Sequence, residues 1–263
     1  MRDPLEGLSE SSTIHTGADI GRVAEAFRPV HDAALAMIRE RDPSASVYAY
    51  GSVVTGQARV GVSDVDLLTI GLRPSDANRI GAELSTQFAD ICRGVEIGAA
   101  QGRDYVGESD ESYGNRVFLR HYCVPLAEPD AHRPQRDFPG DRRAARGFNG
   151  DIAQHARRWR TLLDASGEAG LVAHRMARKS LLAVAGLVSI HDHTWTTDRE
   201  TGADRWGEIA PEHQAGLAQL MSWTPVTPEP SVESVRHVLD GAVEAIVSAF
   251  GELIGLWPNT TSP

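Results

Sequence analysis

Apolar residues recur at spacings of three and four over residues 18–41, which is the pattern of an amphipathic helix. The pair Asp42-Pro43 ends that pattern, because the residue before a proline disfavours the helical conformation. Residues 46–50 form a short run rich in valine and tyrosine, and Gly51 closes it. This run predicts a strand that ends at a glycine.

The next segments alternate between strand and helix patterns. Residues 65–72 predict a strand, residues 76–92 a helix, and residues 95–99 a third strand. Residues 117–124 are apolar, and periodicity cannot decide between strand and helix for so short a run. The order of these elements predicts a small mixed sheet flanked by helices.

Residues 125–149 differ in composition, with four prolines, two glycines and few large apolar residues. Such a segment is typical of an exposed connection between domains. The chain after it has helical periodicity throughout, in five segments: 151–163, 169–190, 203–209, 211–221 and 232–257. The predicted fold class is therefore α/β (α+β), with an N-terminal domain built on a small mixed sheet and an all-α C-terminal bundle.

The predicted organisation has four parts. Residues 1–16 have no apolar period and are expected to form a flexible arm. Residues 17–128 form the first domain, residues 129–149 the linker, and residues 150–263 the helical domain.

Composition narrows the class of protein. Of the 263 residues 41% are hydrophobic and 24% charged, and no apolar run approaches the roughly 18 residues that cross a membrane. The first residues lack the apolar stretch of a secretory signal, so we expect a cytoplasmic protein. Cys92 and Cys123 have neither CxxC spacing nor a histidine at ligand spacing, and no function is assigned to them.

The net charge of −10 is unevenly distributed. Residues 1–128 hold 12 arginines against 19 acidic residues, whereas residues 129–263 hold 14 basic and 17 acidic residues. An acidic field repels DNA or RNA and attracts a cationic small molecule. The alternative is that the extra carboxylates only keep the protein in solution.

One segment carries candidate chemistry, and it begins at the glycine that ends the first strand. Gly51 lets the backbone approach a phosphate, and Ser52 adds a hydroxyl and an amide at what the pattern indicates as a helix N-terminus. Asp64 and Asp66 are two residues apart on the next strand, so their side chains should point to the same face. Two carboxylates so placed can share hard cations such as Mg²⁺, which bind the phosphates of a nucleotide.

A third acid, Glu96, lies between apolar residues in the next predicted strand. If it faces the aspartates, it can either accept the proton of an attacking hydroxyl or complete the metal shell. The residue pattern leaves both roles open. The sequence contains no Walker loop, no Gly-x-Ser-x-Gly and no HExxH.

A Gly-Ser after a strand, an Asp-x-Asp and a third acid on a later strand together resemble the polymerase-beta-like nucleotidyltransferase superfamily. The nearest likeness is to the streptomycin and spectinomycin adenylyltransferases that modify aminoglycosides. Their Ser-Asp-x-Asp-Leu-Leu run is similar to residues 63–68, and their Val-Glu-Val strand, which supplies the catalytic base, is similar to residues 95–97. The resemblance implies a nucleotide contact at Ser63, metal ligands at Asp64 and Asp66, and a catalytic Glu96.

Those enzymes also carry a helical C-terminal domain with a basic helix, followed by a loop that bears a cation and a tryptophan. Arg175, Arg178 and Lys179, followed by Arg199 and Trp206, are similar in layout. The resemblance implies phosphate contacts from Lys179 and Arg199. The alternative is that these are solvated charges on a helix face.

The resemblance therefore implies a Mg²⁺-dependent nucleotidyltransferase that moves AMP from ATP, or from another nucleoside triphosphate, to an acceptor hydroxyl. The acidic charge makes a cationic aminoglycoside the first candidate acceptor. Two alternatives stay open. The protein could nucleotidylate a partner protein, as small nucleotidyltransferases paired with toxins are thought to do, or it could be a catalytically idle nucleotide-binding regulatory module.

Overall fold

A computed structural model of the chain describes residues 3–127, 130–225 and 229–258. The first two residues of the predicted arm and the junction at 128 and 129 between predicted domain and linker lie outside the described residues. The chain divides into two compact units, Met1–Phe138 and Pro139–Pro263. The division point lies in the segment expected to be a linker, and the domain boundaries themselves stay a prediction.

The N-terminal unit contains a two-stranded and a four-stranded sheet with helices between the strands. Its elements are β1 (Gly7–Leu8), β2 (Ile14–His15), α1 (Arg28–Arg41), β3 (Ser46–Tyr50), β4 (Val65–Ile70), α2 (Pro74–Gln87), β5 (Val95–Ala100), α3 (Asp110–His121) and β6 (Val124–Pro125).

The four-stranded sheet has the order β5-β4-β3-β6. Strand β4 runs antiparallel to β3 and parallel to β5, while β6 runs antiparallel to β3. The sheet is therefore mixed, as the sequence predicts. Its two central strands connect through the loop that holds Gly51 and Asp64.

Side chains alternate between the two faces of this sheet, and each face has its own apolar cluster. Val47, Leu67 and Val95 pack in one cluster with residues of α1 and α2. Tyr48 and Ile70, on the other face, pack with residues from the end of α3 and the turn after it. Helices thus pack against both faces of the described sheet, which leaves its edges and strand ends as the places where polar groups can meet a ligand.

Helix α1 starts ten residues later than expected. Residues before Arg28 form two short 3-10 turns, Ile20–Arg22 and Glu25–Phe27. The physical reason is Pro29, which has no N–H to donate to the carbonyl of Glu25 and therefore fits only the first turn of a helix. The apolar spacing continues from the 3-10 turns into α1, which explains why the sequence pattern predicts a helix start at residue 18.

The predicted flexible arm differs from the described structure. Strands β1 and β2 pair antiparallel in residues 7–15, and Ile14 is buried. The Ile14 amide donates a hydrogen bond to the carbonyl of Phe138 at 2.9 Å, and the Thr16 hydroxyl donates to the carbonyl of His121. These bonds attach the start of the chain to the rest of the unit.

The ambiguous run 117–124 is helical for most of its length. Helix α3 begins at Asp110, and the Ser109 hydroxyl caps it by accepting the Ser112 amide at 3.1 Å. Acidic residues occupy its first turn and Arg120 its last, as the helix dipole favours. Only the end of the run forms a strand, β6.

The C-terminal unit is helical. Its elements are α4 (Arg142–Asn149), α5 (Ile152–Ser166), α6 (Ala169–His191), α7 (Arg199–Ile209), α8 (Gln214–Ser222), α9 (Val232–Val238), a π-helical segment (Leu239–Val243) and α10 (Glu244–Leu253). A small mixed sheet flanked by helices, followed by a helical region, confirms the predicted fold class.

Several helices of this unit differ from the predicted boundaries, and the predicted helix 232–257 is interrupted by the π-helical segment and ends at Leu253. Helix α4 lies inside the predicted linker. Helix α7 begins at Arg199 instead of residue 203, because the Asp198 carboxylate accepts the Thr201 amide at 2.9 Å and caps the helix. Within the described ranges, no helix is both long and apolar enough to span a bilayer.

We expect Gly81→Ala to destabilise the N-terminal unit. A Cβ at position 81 would lie 2.9 Å from the Val95 carbonyl oxygen, where α2 crosses the start of β5. The backbone would have to move, so the free energy of unfolding should fall by about 1–3 kcal/mol despite the better helix propensity of alanine. Urea unfolding followed by circular dichroism measures this change.

Asn78→Ala is the matched control, because residue 78 lies on the exposed side of the same helix. It adds propensity without a clash and should leave stability unchanged or slightly raised. Equal unfolding curves for the two variants would show that α2 does not depend on a glycine at position 81.

Candidate active site

The loop after β3 begins with a glycine in a conformation that other residues rarely adopt. Gly51 has φ of +78°, and residues 51–56 form successive turns instead of the helix start expected from the sequence. The Ser52 carbonyl accepts the amides of Gln57 at 2.9 Å and Ala58 at 3.0 Å, which closes the loop. The Ser52 amide donates no hydrogen bond to any of the described residues. That amide can therefore bind an anion.

Asp66 lies beside this glycine. It is the second residue of β4 and pairs with Tyr50, the last residue of β3. A Cβ at Gly51 would come within 2.5 Å of Asp66 Oδ2. The carboxylate thus occupies space that only a glycine leaves open, and the loop and the acid are fitted to each other.

Glu96 lies directly across the next strand pair. Its Cα is the register partner of the Asp66 Cα in the parallel pairing of β4 with β5. Register partners on adjacent strands are about 4.8 Å apart and share a face of the sheet. The side chain of Glu96 is exposed and that of Asp66 is partly buried. The structure therefore brings these two carboxylates to one face at one end of the sheet.

Asp64 points to a different neighbour. It precedes β4, and its carboxylate accepts hydrogen bonds from Arg93 Nε at 3.0 Å and from Arg93 Nη2. Its Oδ1 would lie 3.6 Å from a Cβ at Gly94. Asp66 lies against the loop after β3, whereas Asp64 contacts residues at the start of β5. The two aspartate side chains therefore have different neighbours, although their spacing predicts that they point to the same face.

Arg93 is the residue of this site that the sequence analysis does not single out. The hydrogen bonds that Arg93 donates to Asp64 raise the pKa of Arg93, and the charges of Asp64, Glu96 and Asp66 raise it further. The guanidinium therefore sits in the field of all three acids. No sequence signal marks this residue, because the pair it forms spans 29 positions.

Ser63 has a defined role in the loop. Its side chain is buried, and its Oγ accepts the Arg59 amide at 2.9 Å. Its carbonyl accepts the Arg93 amide at 3.1 Å. These bonds hold the loop before β4 against the start of β5, and the predicted nucleotide contact from Ser63 stays a prediction.

Lys179 lies on α6 of the C-terminal unit and has partners within that unit. Its ammonium pairs with Asp151 Oδ1 at 2.7 Å and donates to the Phe148 carbonyl at 3.0 Å. Burial by itself would raise the pKa of Asp151, but the hydrogen bond from His155 and the charge of Lys179 hold it below its usual value. Lys179 is thus neither a solvated charge nor a cation without a counterion.

Arg199 differs from Lys179 in its surroundings. It is the first residue of α7, and its Nε donates to the Arg178 carbonyl at 3.2 Å. Burial lowers the pKa of Arg199, and the positive charge of Arg178 lowers it further. Two neighbouring guanidiniums with a repulsive interaction are suited to bind an anion, which would relieve that repulsion.

The donors available to a metal in the N-terminal unit are carboxylate oxygens. Asp64, Asp66 and Glu96 supply them, and oxygen donors of this kind suit Mg²⁺ or Mn²⁺. In the described parts of the chain, no group of three or more His, Cys, Asp and Glu side chains is arranged to hold a metal ion. Asp64 pairs with Arg93, whereas Asp66 and Glu96 are register partners on adjacent strands.

We expect Gly51→Ala to move the Asp66 carboxylate. The variant meets two penalties: a positive φ, which costs about 1–2 kcal/mol in the free energy of unfolding, and the contact with Asp66, which adds about 1–3 kcal/mol. Gly61→Ala is the matched control, because Gly61 has a similar φ of +73° and no atom within 4 Å of its Cβ position. Urea unfolding of both variants isolates the second penalty, and equal losses would mean that Gly51 does not make room for Asp66.

The comparison with known families agrees with this geometry. A family model described as the nucleotidyltransferase domain matches residues 33–110. The match includes the Gly51 loop, both aspartates and Glu96, and it does not reach Lys179 or Arg199. No curated protein gives a significant match to the chain. Residues 33–110 are therefore similar to a nucleotidyltransferase domain, which takes a nucleoside triphosphate as substrate, and the match supports the resemblance to the polymerase-beta-like superfamily.

Proposed function

We propose that this protein transfers AMP from ATP to a hydroxyl group of an aminoglycoside, with Mg²⁺ as the cation. Asp64 and Asp66 hold the cation, Gly51 and Ser52 seat the β- and γ-phosphates, and Glu96 accepts the proton of the acceptor hydroxyl. The observation that carries the proposal is the register of Asp66 with Glu96 beside Gly51 in a matched nucleotidyltransferase domain.

The donor set supports a hard divalent cation. Asp64 and Asp66 offer only oxygen atoms, and Asp64 already attracts the positive guanidinium of Arg93 to both of its oxygens. When bound, the cation would neutralise charge on the triphosphate oxygens. The aspartates would thus orient the nucleotide so that the α-phosphorus faces Glu96.

Glu96 is the acid best suited to act as a base. Its side chain is exposed, so an acceptor can reach it from solvent, and it shares a face with Asp66. It would take the proton as the acceptor oxygen bonds to the α-phosphorus. The bond from that phosphorus to the bridging oxygen breaks at the same time, and pyrophosphate leaves.

Each unit, taken by itself, offers groups that can bind phosphate. The Ser52 amide supports this role in the N-terminal unit. In the C-terminal unit, the Arg199 and Arg178 pair supports it better than Lys179 does, because Asp151 already compensates the lysine.

The charge of the chain supports a cationic acceptor. The net charge is −10, and the residues that include the nucleotidyltransferase domain carry most of the excess acids. A polyanionic acceptor such as RNA would approach against this field, whereas a polycationic amino sugar would approach with it.

The test is transfer of label from α-³²P-labelled nucleoside triphosphates in the presence of Mg²⁺. Each of the four nucleotides is incubated with the full chain and with streptomycin, spectinomycin or kanamycin. We expect label on a drug and release of pyrophosphate with ATP. Label found only on protein would favour a protein acceptor, and nucleotide binding without transfer would favour a regulatory module.

We expect Asp66→Asn to lower turnover about a hundredfold or more, because it removes negative charge at the cation site. The free energy of unfolding should change by less than about 1 kcal/mol, since the side chain is only partly buried. The double variant with Asp64→Asn should cost little more, because the two acids act as a unit. Steady-state rates at saturating Mg²⁺ measure this, with exposed Asp90→Asn as the control. Near-normal turnover of Asp66→Asn would remove it from the site.

Glu96→Gln separates the two roles that remain open for this acid. If Glu96 is the base, nucleotide affinity is retained and turnover falls by about two to four orders of magnitude. If it is a metal ligand, Mg²⁺-dependent nucleotide binding weakens, and higher Mg²⁺ recovers part of the rate. Calorimetry with ATP beside single-turnover rates distinguishes these results. Unchanged values in both measurements would exclude Glu96 from the site.

A further inference from the structure

Arg93 engages both oxygens of one predicted metal ligand. Its Nε lies 3.0 Å from Asp64 Oδ1, and its Nη2 donates to Oδ2. This is the bidentate arrangement that guanidinium and carboxylate groups form most favourably. A positive charge therefore already occupies the carboxylate that the proposed function gives to a divalent cation.

The backbone around this pair is fixed, while the arginine side chain is free to leave. The Arg93 amide donates to the Ser63 carbonyl at 3.1 Å, and the Val65 amide donates to the Gly94 carbonyl at 2.9 Å. The Arg93 side chain is 57% exposed, against 20% for Asp64. The guanidinium can thus rotate into solvent without any change in the strands, and its exposure to water limits the free energy that the pair contributes.

A cation on Asp64 and a guanidinium on the same carboxylate would repel each other. Two like charges within about 4–5 Å destabilise one another even near a protein surface. Arg93 also remains in the field of Glu96 and Asp66, so it does not need to move far to stay among opposite charges. The phosphates of a nucleotide bound at these acids would offer it a second bidentate partner.

We propose that Arg93 is a positioning residue that holds Asp64 until a divalent cation binds, and then transfers its guanidinium to the nucleotide phosphates. This inference rests on the proposed function for the nucleotide and on the structure alone for the Asp64 pair. It makes Arg93 a competitor of the cation and a partner of the triphosphate. Its removal should therefore change the two affinities in opposite directions.

The experiment measures both affinities with Arg93→Gln in the full chain. Mn²⁺ alone is titrated first, with free Mn²⁺ followed by electron paramagnetic resonance. Mn²⁺ with α,β-methylene ATP, which cannot release pyrophosphate, is titrated second by calorimetry. We expect Mn²⁺ alone to bind about two- to tenfold more tightly and the Mn²⁺-nucleotide complex to bind more weakly by a similar factor.

Two further variants make the result specific. Arg103→Gln removes the same charge from a highly exposed position whose nearest carboxylate is 4.0 Å away, and it should change neither affinity. Arg93→Lys keeps the charge but loses the bidentate geometry and should give intermediate values. Circular dichroism confirms that each variant is folded.

Opposite shifts support the proposal. Weaker binding in both titrations would mean that Arg93 only holds the loop together, and unchanged binding in both would mean that it is a surface charge; either result overturns the proposal. If the wild-type chain binds Mn²⁺ but not the nucleotide, the proposed function fails. The first titration would then still decide whether Arg93 competes with the cation.

Discussion

The in-register pairing of β4 with β5 determines where the Asp66 and Glu96 carboxylates of the candidate site lie. It sets Asp66 beside Glu96 on one face of the sheet, at the end where β3 delivers Gly51. A slip of one residue in either strand would send one of these carboxylates to the opposite face, into the cluster that packs against α1 and α2. The apolar residues after Asp66 and around Glu96 therefore fix the chemistry as well as the core. Burial of the apolar residues specifies the register. Asp66 and Glu96 can therefore be held at the end of the sheet even though two carboxylates do not attract each other.

Three carboxylates at one end of a sheet repel one another, and the fold reduces this repulsion in two ways. Glu96 is exposed, so water screens it. Asp64 turns toward Arg93, whose charge also acts on the other two acids. The same arrangement leaves a strong negative potential for a cation to neutralise. The electrostatic free energy of the three carboxylates is therefore acceptable without a cation and becomes more favourable when a cation binds.

Local patterns predict much of the fold and the strands on which the candidate acids lie. The bounds of β3, the start of β4 and the position of Glu96 follow from short apolar runs next to glycines, because strand and turn preferences act over a few residues. The apolar spacing predicts a start of α1 that is ten residues too early, because that spacing continues across Pro29. The partners of Asp64 and Lys179 could not be predicted. Arg93 and Asp151 are 29 and 28 positions away, and nothing local in a single sequence specifies such pairs.

The two cations assigned to phosphate binding by resemblance differ in what the structure lets them do. Lys179 is compensated by Asp151 and by the Phe148 carbonyl, so an anion could bind it only by competing with a partly buried carboxylate. Arg199 donates to a backbone carbonyl, and its pKa is lowered by burial and by the charge of Arg178, against the opposing charge of Asp198. An anion would remove a repulsion there and would break no ion pair of the described residues. The electrostatic cost of binding phosphate is therefore lower at Arg199. The resemblance assigns a phosphate contact to Lys179, but the charge of Asp151 that already faces this lysine is the better indicator of what it can bind.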